Sequence, residues 1–437
     1  MADLLRATNH HANPTLTDRL RDWHFSVTKI FSSAAYSATV CCKNTSKLSK
    51  LVILLAAGGT AWTIFSLQGH GQQLRGNGVL RDLVVMPSKQ SDIFDEASLW
   101  RNTSYRYSKR TRPCTTADKC FFQVIADLDH KSRTESAKPS FKSHLLSGEI
   151  WQADDAYHVQ WRNDGKPEIL YSAMNEAGRG LELSDLTLFG ERLYTFDDRT
   201  GMVFALLHSR SPVEPYVLPV QVLVEGDGIT STKGQKIEWA TEKDGLLWIG
   251  SFGKEYVDNG EVTNHNNMWV AIMDRKGNIR RRDWSPVYTR LREVAGAAYP
   301  GYLVHESARW SSTLKRWVFL PRRVSSEPYD EQLDNRRGSN IMLVATEDFD
   351  HIDVVRIETP TIPERGFSAF AFLPGSDDQL ILAVKTEEDL TSLVQRTFMT
   401  IFDMQGKVFM PDTLLPDNAK YEGLEIFTRK EVAVAPH

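Results

Sequence analysis

From Phe121 onward the chain alternates short apolar strand patterns with tight turns, and it contains almost no long stretch with the 3.6-residue period of a helix. Turn signals such as Gly190-Glu191, Asp244-Gly245 and Gln405-Gly406 separate neighbouring strand patterns. Many short strands at even spacing are typical of an all-β barrel, sandwich or propeller. The sequence therefore predicts an all-β fold for this part of the chain.

A polar residue recurs in the first strand of successive hairpins, and its spacing selects among these architectures. The five positions are Ser184, Glu238, Glu306, Ser368 and Glu422, separated by 54, 68, 62 and 54 residues. Each interval has room for four strands and their loops, which is one propeller blade. We therefore predict a five-bladed β-propeller over residues 121–427, in which the first strand of each blade lines a central channel.

If those first strands line the channel, the same five side chains converge on its axis. Three carboxylates in a narrow channel repel each other unless a cation joins them. Oxygen ligands without His or Cys favour Ca²⁺ or Mg²⁺ over zinc, and a roomy, irregular ring favours Ca²⁺. Asp185 or a serine carbonyl, with water, would complete the shell. For each glutamate taken alone, the alternative is an ordinary solvated strand residue.

The N-terminal part contains an apolar segment, residues 51–67, without a charged side chain. Lys43, Lys47 and Lys50 precede it, and no Lys or Arg follows until Arg75. This length and charge asymmetry predict a type II transmembrane signal anchor, with residues 1–50 in the cytosol and the rest across the membrane. A cleaved signal peptide and a buried core helix are the alternatives, and whether the anchor is cleaved stays open.

Residues 68–120 are polar and without a clear period, and we interpret them as a luminal stem. The stem carries the sequon Asn102-Thr103-Ser104, which predicts glycosylation of Asn102 in the lumen. The last residues, 428–437, are interpreted as a C-terminal tail. Cys114 and Cys120 could close one small loop in an oxidising compartment, and the sequence leaves open whether they are bridged.

Several functions are disfavoured by composition and by missing motifs. The formal net charge is -4, so the chain lacks the basic field that nucleic-acid binding needs. No Gly-rich loop ends in Lys-Ser or Lys-Thr, which argues against a P-loop ATPase. No Gly-x-Ser-x-Gly motif appears, so an α/β-hydrolase is not supported.

Motifs throughout residues 121–427 resemble the calcium-activated nucleotidases, also called apyrases of the bed-bug type. They are "VIADLD", "GRGLELSDL", "YTFDDRTG", "GKEY", "GYLVHESA", "FLPRR", "GFSAF", "DDQLILAVKTEED" and "YEGLEIF". The resemblance implies a five-bladed propeller with Ca²⁺ in its tunnel and hydrolysis of nucleoside di- and triphosphates. It also implies a secreted protein or a type II protein of the endoplasmic reticulum and Golgi.

The resemblance also implies roles for particular residues. The calcium ligands of the family match Ser184, Asp185, Glu238, Glu306, Ser368 and Glu422. Its acidic active-site residues match Asp127, Asp129 and Asp198, one of which is expected to position the attacking water. Residues in matching motifs are expected to bind phosphate: Arg179, Arg199, Lys254, Arg322 and Arg323.

Three functional hypotheses follow. The first is a Ca²⁺-dependent nucleoside diphosphatase of the secretory pathway, acting on UDP and GDP, less certainly on ADP, and on triphosphates as a further option. The second is a non-catalytic propeller that binds a partner or glycan and uses Ca²⁺ as a structural pin. The third is an ectonucleotidase released by cleavage of the stem and acting on extracellular ADP or ATP. The preferred base and the oligomeric state, including a homodimer, stay open.

Overall fold

The structure is a computed structural model that describes residues 37–45, 48–57, 60–64, 103–135, 140–209, 212–258, 260–389 and 394–431. The chain divides into two compact units, Met1–Ser91 and Asp92–His437. The predicted glycosylation site at Asn102, most of the predicted cytosolic segment and the end of the predicted tail lie outside the described residues.

The N-terminal unit contains one antiparallel sheet of three strands. These are β1 (Ser37–Thr45), β2 (Leu48–Ala57) and β3 (Thr60–Ile64), in the order β1-β2-β3. The predicted transmembrane helix over residues 51–67 is therefore not confirmed. Within the described ranges, no helix combines the length and apolar character needed to cross a membrane. The apolar run is rich in β-branched and aromatic residues and is interrupted by Gly58-Gly59, features that favour a hairpin.

The second unit is a five-bladed β-propeller, which confirms the predicted fold. Four blades are four-stranded sheets in sequence order. The first of these blades contains β9 (Leu183–Phe189), β10 (Arg192–Asp197), β11 (Met202–His208) and β12 (Pro215–Val222), and the second contains β13 (Trp239–Lys243), β14 (Leu246–Gly250), β17 (Trp269–Met273) and β18 (Ile279–Asp283). The third contains β19 (Tyr302–Ser311), β20 (Arg316–Ser325), β21 (Ile341–Ala345) and β22 (Ile352–Arg356). The fourth contains β23 (Arg365–Phe372), β24 (Leu380–Asp389), β25 (Val394–Asp403) and β26 (Val408–Leu414).

The fifth blade joins the two ends of the unit and closes the ring. It contains β4 (Tyr105–Lys109), β27 (Lys420–Glu431), β5 (Cys120–Asp127), β6 (Phe141–Ala153) and β7 (Ala156–Trp161), with β8 (Glu168–Ser172) also paired to β6. A separate hairpin consists of β15 (Tyr256–Asp258) and β16 (Glu261–Asn264), and the described part of the chain contains the α-helices α1 (Ser285–Val294) and α2 (Glu331–Asp334). Short 3-10 turns cover Asp129–Ser132, Arg162–Gly165 and Asn266–Met268.

The closing blade extends past the predicted domain limits on both sides. Strand β4 lies within the predicted stem, and β27 runs beyond residue 427 to Glu431. Pairing between β5 and β27 reaches Phe427, and β4 pairs with β27 from Phe427 to Glu431. Strand β4 thus covers backbone groups that would otherwise form an open sheet edge. A disulfide between Cys114 and Cys120 ties the segment after β4 to the start of β5.

Tight turns set the register of the predicted hairpins. At Asp244-Gly245 both residues have positive φ (53° and 73°), and Lys243 pairs directly with Leu246. Two central residues with positive φ match the twist of the flanking strands, and Asp-Gly favours this turn. The sequence signal therefore corresponds to a physical requirement of the hairpin.

The innermost strands β9, β13, β19, β23 and β27 form the wall of the central channel, each next to the following one. Register shifts interrupt β9, β19, β23 and β27 near Ser184, Glu306, Ser368 and Glu422. The fifth position, Glu238, immediately precedes β13. Such bulges bend a strand and redirect a side chain. The predicted repeat therefore coincides with local breaks in the pairing.

Candidate active site

The five repeat positions are brought together in the interior of the propeller. Their exposed fractions are 0% for Ser184, 3% for Glu238, 9% for Glu306, 0% for Ser368 and 2% for Glu422. The charges of Glu306 and Glu422 both act on Glu238, and Arg322 contacts Glu306 and Glu422 together. We name these five residues the axial ring. The structure buries all five on or beside the inner strands and lets the three glutamates interact electrostatically; their role as metal ligands stays a prediction.

The two serines of the axial ring bridge neighbouring blades. Ser184 Oγ donates to the carbonyl of Ile237, which precedes Glu238. Ser368 Oγ donates to the carbonyl of Tyr421 at 2.8 Å, and Tyr421 precedes Glu422. Because each hydroxyl gives its proton to a carbonyl, its oxygen lone pairs remain available to a cation. Each serine therefore also fixes the peptide beside a ring glutamate.

Burial dominates the electrostatics of the ring. Desolvation raises the pKa of Glu422 to about 7, with Lys420 and Arg322 opposing and Glu306 adding to the shift. Burial also raises the pKa of Glu238 well above its ordinary value, and the charge of Glu306 adds to that effect. Crowded, buried carboxylates of this kind favour either protons or a cation.

The predicted active-site acids lie beside the ring. Asp127 is 1% exposed, accepts from the Asp129 backbone N–H at 2.7 Å and has its pKa raised well above normal by burial. Burial disfavours the charged form of Asp129, but Lys420 holds the pKa of that carboxyl below its ordinary value. The charges of Glu422 and Asp198 both act on Asp127, and the charge of Asp198 also acts on Glu422. All three predicted acids therefore belong to one site with the axial ring.

Asp198 differs from the other acids in carrying an oxygen without a partner. Its Oδ2 pairs with Lys236, whereas its Oδ1 is buried and has no hydrogen-bond partner among the described residues. A buried carboxylate oxygen without a donor is costly unless something else fills the position. This oxygen is therefore available to a water molecule, a substrate or a metal-bound ligand.

Glu182 joins this site, although we had not assigned it a role from sequence. Carboxylate oxygens of Asp127, Asp129 and Glu182 lie within 4.8 Å of one another. Arg179, a predicted phosphate ligand, is paired with Glu182 and lies 3.8 Å from Asp129. Glu182 precedes Ser184 by two residues, so the alternation of β9 could have indicated that both face the channel.

The other predicted phosphate ligands have different partners. Arg199 Nε lies 3.0 Å from Glu176 Oε2. Lys254 Nζ lies 4.0 Å above the ring of Tyr329 and donates to the Glu255 carbonyl. Arg323 is 2% exposed, its Nη1 has no hydrogen-bond partner among the described residues, and its nearest acid, Asp334, is 4.0 Å away.

Arg322 is part of the ring's own charge network. It contacts Glu306, reaches Glu422 at 2.7 Å and reaches Glu388 at 2.7 Å. A guanidinium can hold several carboxylates at once because its donors are fixed in one plane. The two adjacent arginines of "FLPRR" therefore have different environments: Arg322 is saturated with carboxylates, and Arg323 retains a free donor.

Asp185 is the one predicted calcium ligand whose carboxylate does not join the others. It accepts from the backbone N–H groups of Leu186 and Ala240 at 2.7 and 2.6 Å, and Arg309 lies 3.8 Å away. Burial raises the pKa of Asp185 to about 7, and its charged neighbours are Arg309 and Glu425 rather than ring residues. Successive strand residues face opposite directions, which separates Asp185 from Ser184.

Two lysines and one glutamate complete the network and were missed from the sequence. Lys236 lies 2.6 Å from Glu238; Lys420 lies 2.5 Å from Asp127 and 3.3 Å from Glu422; Glu388 pairs with Arg322. Each lysine precedes a ring glutamate by two residues, in "KIE" and "KYE", and that shared spacing is the signal that could have indicated them.

The donor set of this network fits a divalent cation. Its carboxylates are Asp127, Asp129, Glu182, Asp198, Glu238, Glu306, Glu388 and Glu422, and its cationic partners are Arg179, Lys236, Arg322 and Lys420. Carboxylates outnumber cations two to one, and all candidate ligand atoms are oxygen. Such a set suits Ca²⁺ or Mg²⁺ better than metals that prefer nitrogen or sulfur.

Comparison with known proteins agrees with this geometry. The family model "Apyrase" matches residues 128–427. Soluble calcium-activated nucleotidase 1 of Mus musculus is 43% identical over 69% of this chain and 72% of its own length. The apyrase of Cimex lectularius is 38% identical over 69% of this chain and 81% of its own. Apyrase apy-1 of Caenorhabditis elegans is 37% identical over 69% and 82%.

Among solved structures, TolB from Acinetobacter baumannii is 11% identical and covers 96% of this chain and 88% of its own, with a TM-score of 0.29. That likeness is too remote to bear on fold or function. The family model covers the four four-stranded blades, β9 to β26, and part of the closing blade. It therefore includes every residue of the axial ring. Together with relatives at 37–43% identity, this match shows that the chain belongs to the apyrase family.

Proposed function

We propose that this protein is a Ca²⁺-dependent hydrolase of nucleoside diphosphates, with UDP and GDP as substrates, ADP as a weaker one and triphosphates as a further class. Membership of the apyrase family supports hydrolysis of nucleotide phosphates. The observation that carries the proposal is the axial ring itself: its three glutamates are buried, and the charge of Asp198, whose Oδ1 has no partner among the described residues, acts on Glu238 and Glu422.

The axial ring would hold the metal. Glu238, Glu306 and Glu422 would supply carboxylate oxygens, and the hydroxyl oxygens of Ser184 and Ser368 retain the lone pairs needed to join them. We assign no side-chain ligand role to Asp185, whose carboxylate is held by backbone N–H groups and Arg309. When bound, Ca²⁺ would neutralise phosphate charge and polarise the phosphorus–oxygen bond.

Residues of the chain would supply the remaining chemistry. Asp198 Oδ1 is positioned to accept a hydrogen bond from the attacking water and so to orient it. Arg323 Nη1 is a buried donor free to bind a phosphate oxygen, and Lys254 adds a second cation that has no carboxylate within ion-pair distance among the described residues. Fixed donors aimed at phosphate oxygens stabilise the charge that develops during phosphoryl transfer.

The rival hypothesis of a non-catalytic propeller explains these residues less well. A structural calcium pin would need the axial ring but would gain nothing from Asp198 Oδ1 or Arg323 Nη1, neither of which has a hydrogen-bond partner among the described residues. Both groups carry a desolvation cost in the absence of a ligand. During hydrolysis the attacking water and a phosphate oxygen would bind these two groups, so we prefer the hydrolase.

Phosphate release from UDP, GDP, ADP and UTP by the purified full chain tests the proposal, with UMP as the control substrate. We expect turnover of the diphosphates in Ca²⁺, little turnover in Mg²⁺ alone and none in chelator. Equal rates in Mg²⁺ and Ca²⁺ would overturn the assignment of calcium. Absence of hydrolysis by a folded protein that binds Ca²⁺ would favour the non-catalytic propeller.

We further propose that the propeller lies in the lumen of the endoplasmic reticulum or Golgi, held there by an N-terminal anchor or released by cleavage of the stem. The disulfide between Cys114 and Cys120 supports this location, because such bonds persist in oxidising compartments. Treatment of the cell-expressed protein with a glycosidase tests it. A mobility shift that is lost in Asn102→Gln is expected, whereas an unmodified Asn102 and reduced cysteines would contradict it.

A further inference from the structure

We infer that Lys236 and Lys420 are exchangeable counter-ions: they neutralise the acids of the site in the metal-free protein, and they leave the ring glutamates when a metal binds. This inference rests on the proposed function, because it requires a metal in the axial ring. It adds a role for two residues that the sequence did not single out, and it explains how the channel tolerates so many carboxylates without a metal.

The first observation is a second ring of residues along the channel. Two positions before the axial ring, the inner strands or their leading residues carry Glu182, Lys236, Val304, Gly366 and Lys420. Glu182, Lys236 and Glu238 lie just outside the strands, and bulges interrupt the alternation elsewhere, so the contacts decide which of these side chains meet the ring. Lys236 Nζ lies 2.6 Å from Glu238, and Lys420 Nζ lies 3.3 Å from Glu422. Both lysines therefore lie one layer along the channel from the ring.

The second observation is that each lysine links a ring glutamate to a predicted active-site acid. Lys236 contacts Asp198 as well as Glu238. Lys420 contacts Asp127 at 2.5 Å and Asp129 at 3.2 Å as well as Glu422. A lysine in either position places a positive charge where a divalent cation bound by the glutamate would place its own. The two cannot keep the same carboxylate oxygen at the same time.

Arg322 and Lys236 differ in how freely they can leave a carboxylate; the side chain of Lys420 is 9% exposed, and its exchange is inferred from its contacts alone. The side chain of Arg322 is 5% exposed and its planar donors bridge Glu306, Glu422 and Glu388. Gly366 makes room for this residue, since a Cβ there would lie 2.2 Å from the Arg322 carbonyl oxygen. A lysine, by contrast, carries a compact charge on a flexible stem. The side chain of Lys236 is 42% exposed and can therefore move without opening the core.

The released lysines would not leave the site. Each would remain tethered beside Asp198 or Asp127, the acids that flank the place proposed for the substrate. Their charge would then be available to phosphate oxygens. Loss of a lysine should therefore have opposite effects on the two ligands: it should tighten Ca²⁺ binding in the absence of nucleotide, and it should weaken binding of the nucleotide.

Calorimetric titration of Ca²⁺ into the metal-free full chain, without nucleotide, tests the first effect. For Lys236→Gln we expect the dissociation constant for Ca²⁺ to fall about tenfold, because a competing unit charge in direct contact has been removed. Lys236→Arg keeps the charge and should bind Ca²⁺ like the wild type. Lys119→Gln, a lysine on the outer part of a blade 3.9 Å from Glu149, is the matched control and should not change.

The second effect is measured as the KM for UDP at saturating Ca²⁺, which should rise about tenfold in Lys236→Gln. Lys420→Gln should behave in the same direction, with thermal unfolding in chelator as the check on folding, since it leaves Asp127 buried without its cation. Unchanged or weaker Ca²⁺ binding in Lys236→Gln would overturn the inference. An unchanged KM for UDP would overturn the claim that the released lysine helps to bind phosphate.

The wild-type control separates this inference from the proposed function. If the wild type hydrolyses UDP with Ca²⁺ but Lys236→Gln binds Ca²⁺ as the wild type does, only the counter-ion role falls. If the wild type neither binds Ca²⁺ nor hydrolyses UDP, the proposed function and the inference fall together.

Discussion

Replacing Ser368 by alanine separates the structural role of the axial ring from its metal-binding role. Ser368 is fully buried and donates to the Tyr421 carbonyl at 2.8 Å, so its hydroxyl joins two inner strands. Loss of one such hydrogen bond reduces the free energy of unfolding by about 1 kcal/mol. In a propeller of this size, with an unfolding entropy of about 0.7 kcal/mol/K, that reduction lowers the Tm by roughly 1–2 °C.

Ser307→Ala supplies the matched control. Ser307 is also buried and its hydroxyl donates to a backbone carbonyl, that of Leu320, at 2.9 Å, but within its own blade and outside the axial ring. In chelator the two variants should therefore lose similar stability, about 1 kcal/mol each. Any difference between them in the presence of Ca²⁺ then reports on the ring.

Thermal unfolding in chelator and over a range of Ca²⁺ concentrations is the assay. A metal that binds only the folded chain stabilises it by an amount that grows with metal concentration over the dissociation constant, about 2.7 kcal/mol at one hundred times that constant. We expect Ser307→Ala to keep the full stabilisation by Ca²⁺ and Ser368→Ala to lose more than half of it. Equal stabilisation of both variants by Ca²⁺ would refute the assignment of Ser368 to the metal.

Three further predictions test other parts of the structure. Asp198→Asn should lower kcat by about 100- to 10,000-fold, because the neutral amide lacks the carboxylate charge with which Asp198 would orient the attacking water. Gly366→Ala should lower the free energy of unfolding by about 1–3 kcal/mol, since its Cβ would lie 2.2 Å from the Arg322 carbonyl oxygen. For His208, which is paired with the Tyr107 hydroxyl at 2.8 Å, burial lowers the pKa to about 4. Because the unfolded chain takes up this proton near pH 6.5 and the folded one only near pH 4, stability should fall by about 3 kcal/mol as pH falls through that window.

Each of these predictions has its own check. Steady-state kinetics, with Ca²⁺ titrations to show that the variant still binds metal, measures the effect of Asp198→Asn; full activity would remove Asp198 from the mechanism. Denaturant unfolding measures Gly366→Ala against Gly190→Ala, whose added Cβ meets nothing within 4 Å and costs only the strain of its positive φ. Unfolding at pH 7 and pH 4 compares the wild type with His208→Gln, which cannot titrate. An equally steep loss of stability in that variant would show that other groups cause it.

The pattern of this sequence was sufficient to predict the propeller, because a blade imposes a period that the chain must repeat. Turn residues such as Asp244-Gly245 mark hairpins through a local backbone requirement, and local requirements are readable from sequence. The five axial residues could be found for the same reason, as polar side chains at one position of each repeat. Closure of the ring by β4 was harder to predict from the sequence, because β4 and β27 lie near opposite ends of the domain sequence.

Other features depended on which strands become neighbours. Bulges near Ser184 and Glu422 arise from the pairing of whole strands, and no single segment encodes them. The charged partner of Asp185 likewise comes from another blade, in Arg309.

The sequence by itself determined the type of each chemical group and its place in the repeat, because covalent order and strand alternation are local. Only the tertiary structure decided which charges meet. Lys420 contacts Asp127, and Arg322 joins Glu306 to Glu422, through distances that exist only once the ring has closed. Coulombic interactions depend on the distance between charges and on their burial, and the order of the residues specifies neither quantity.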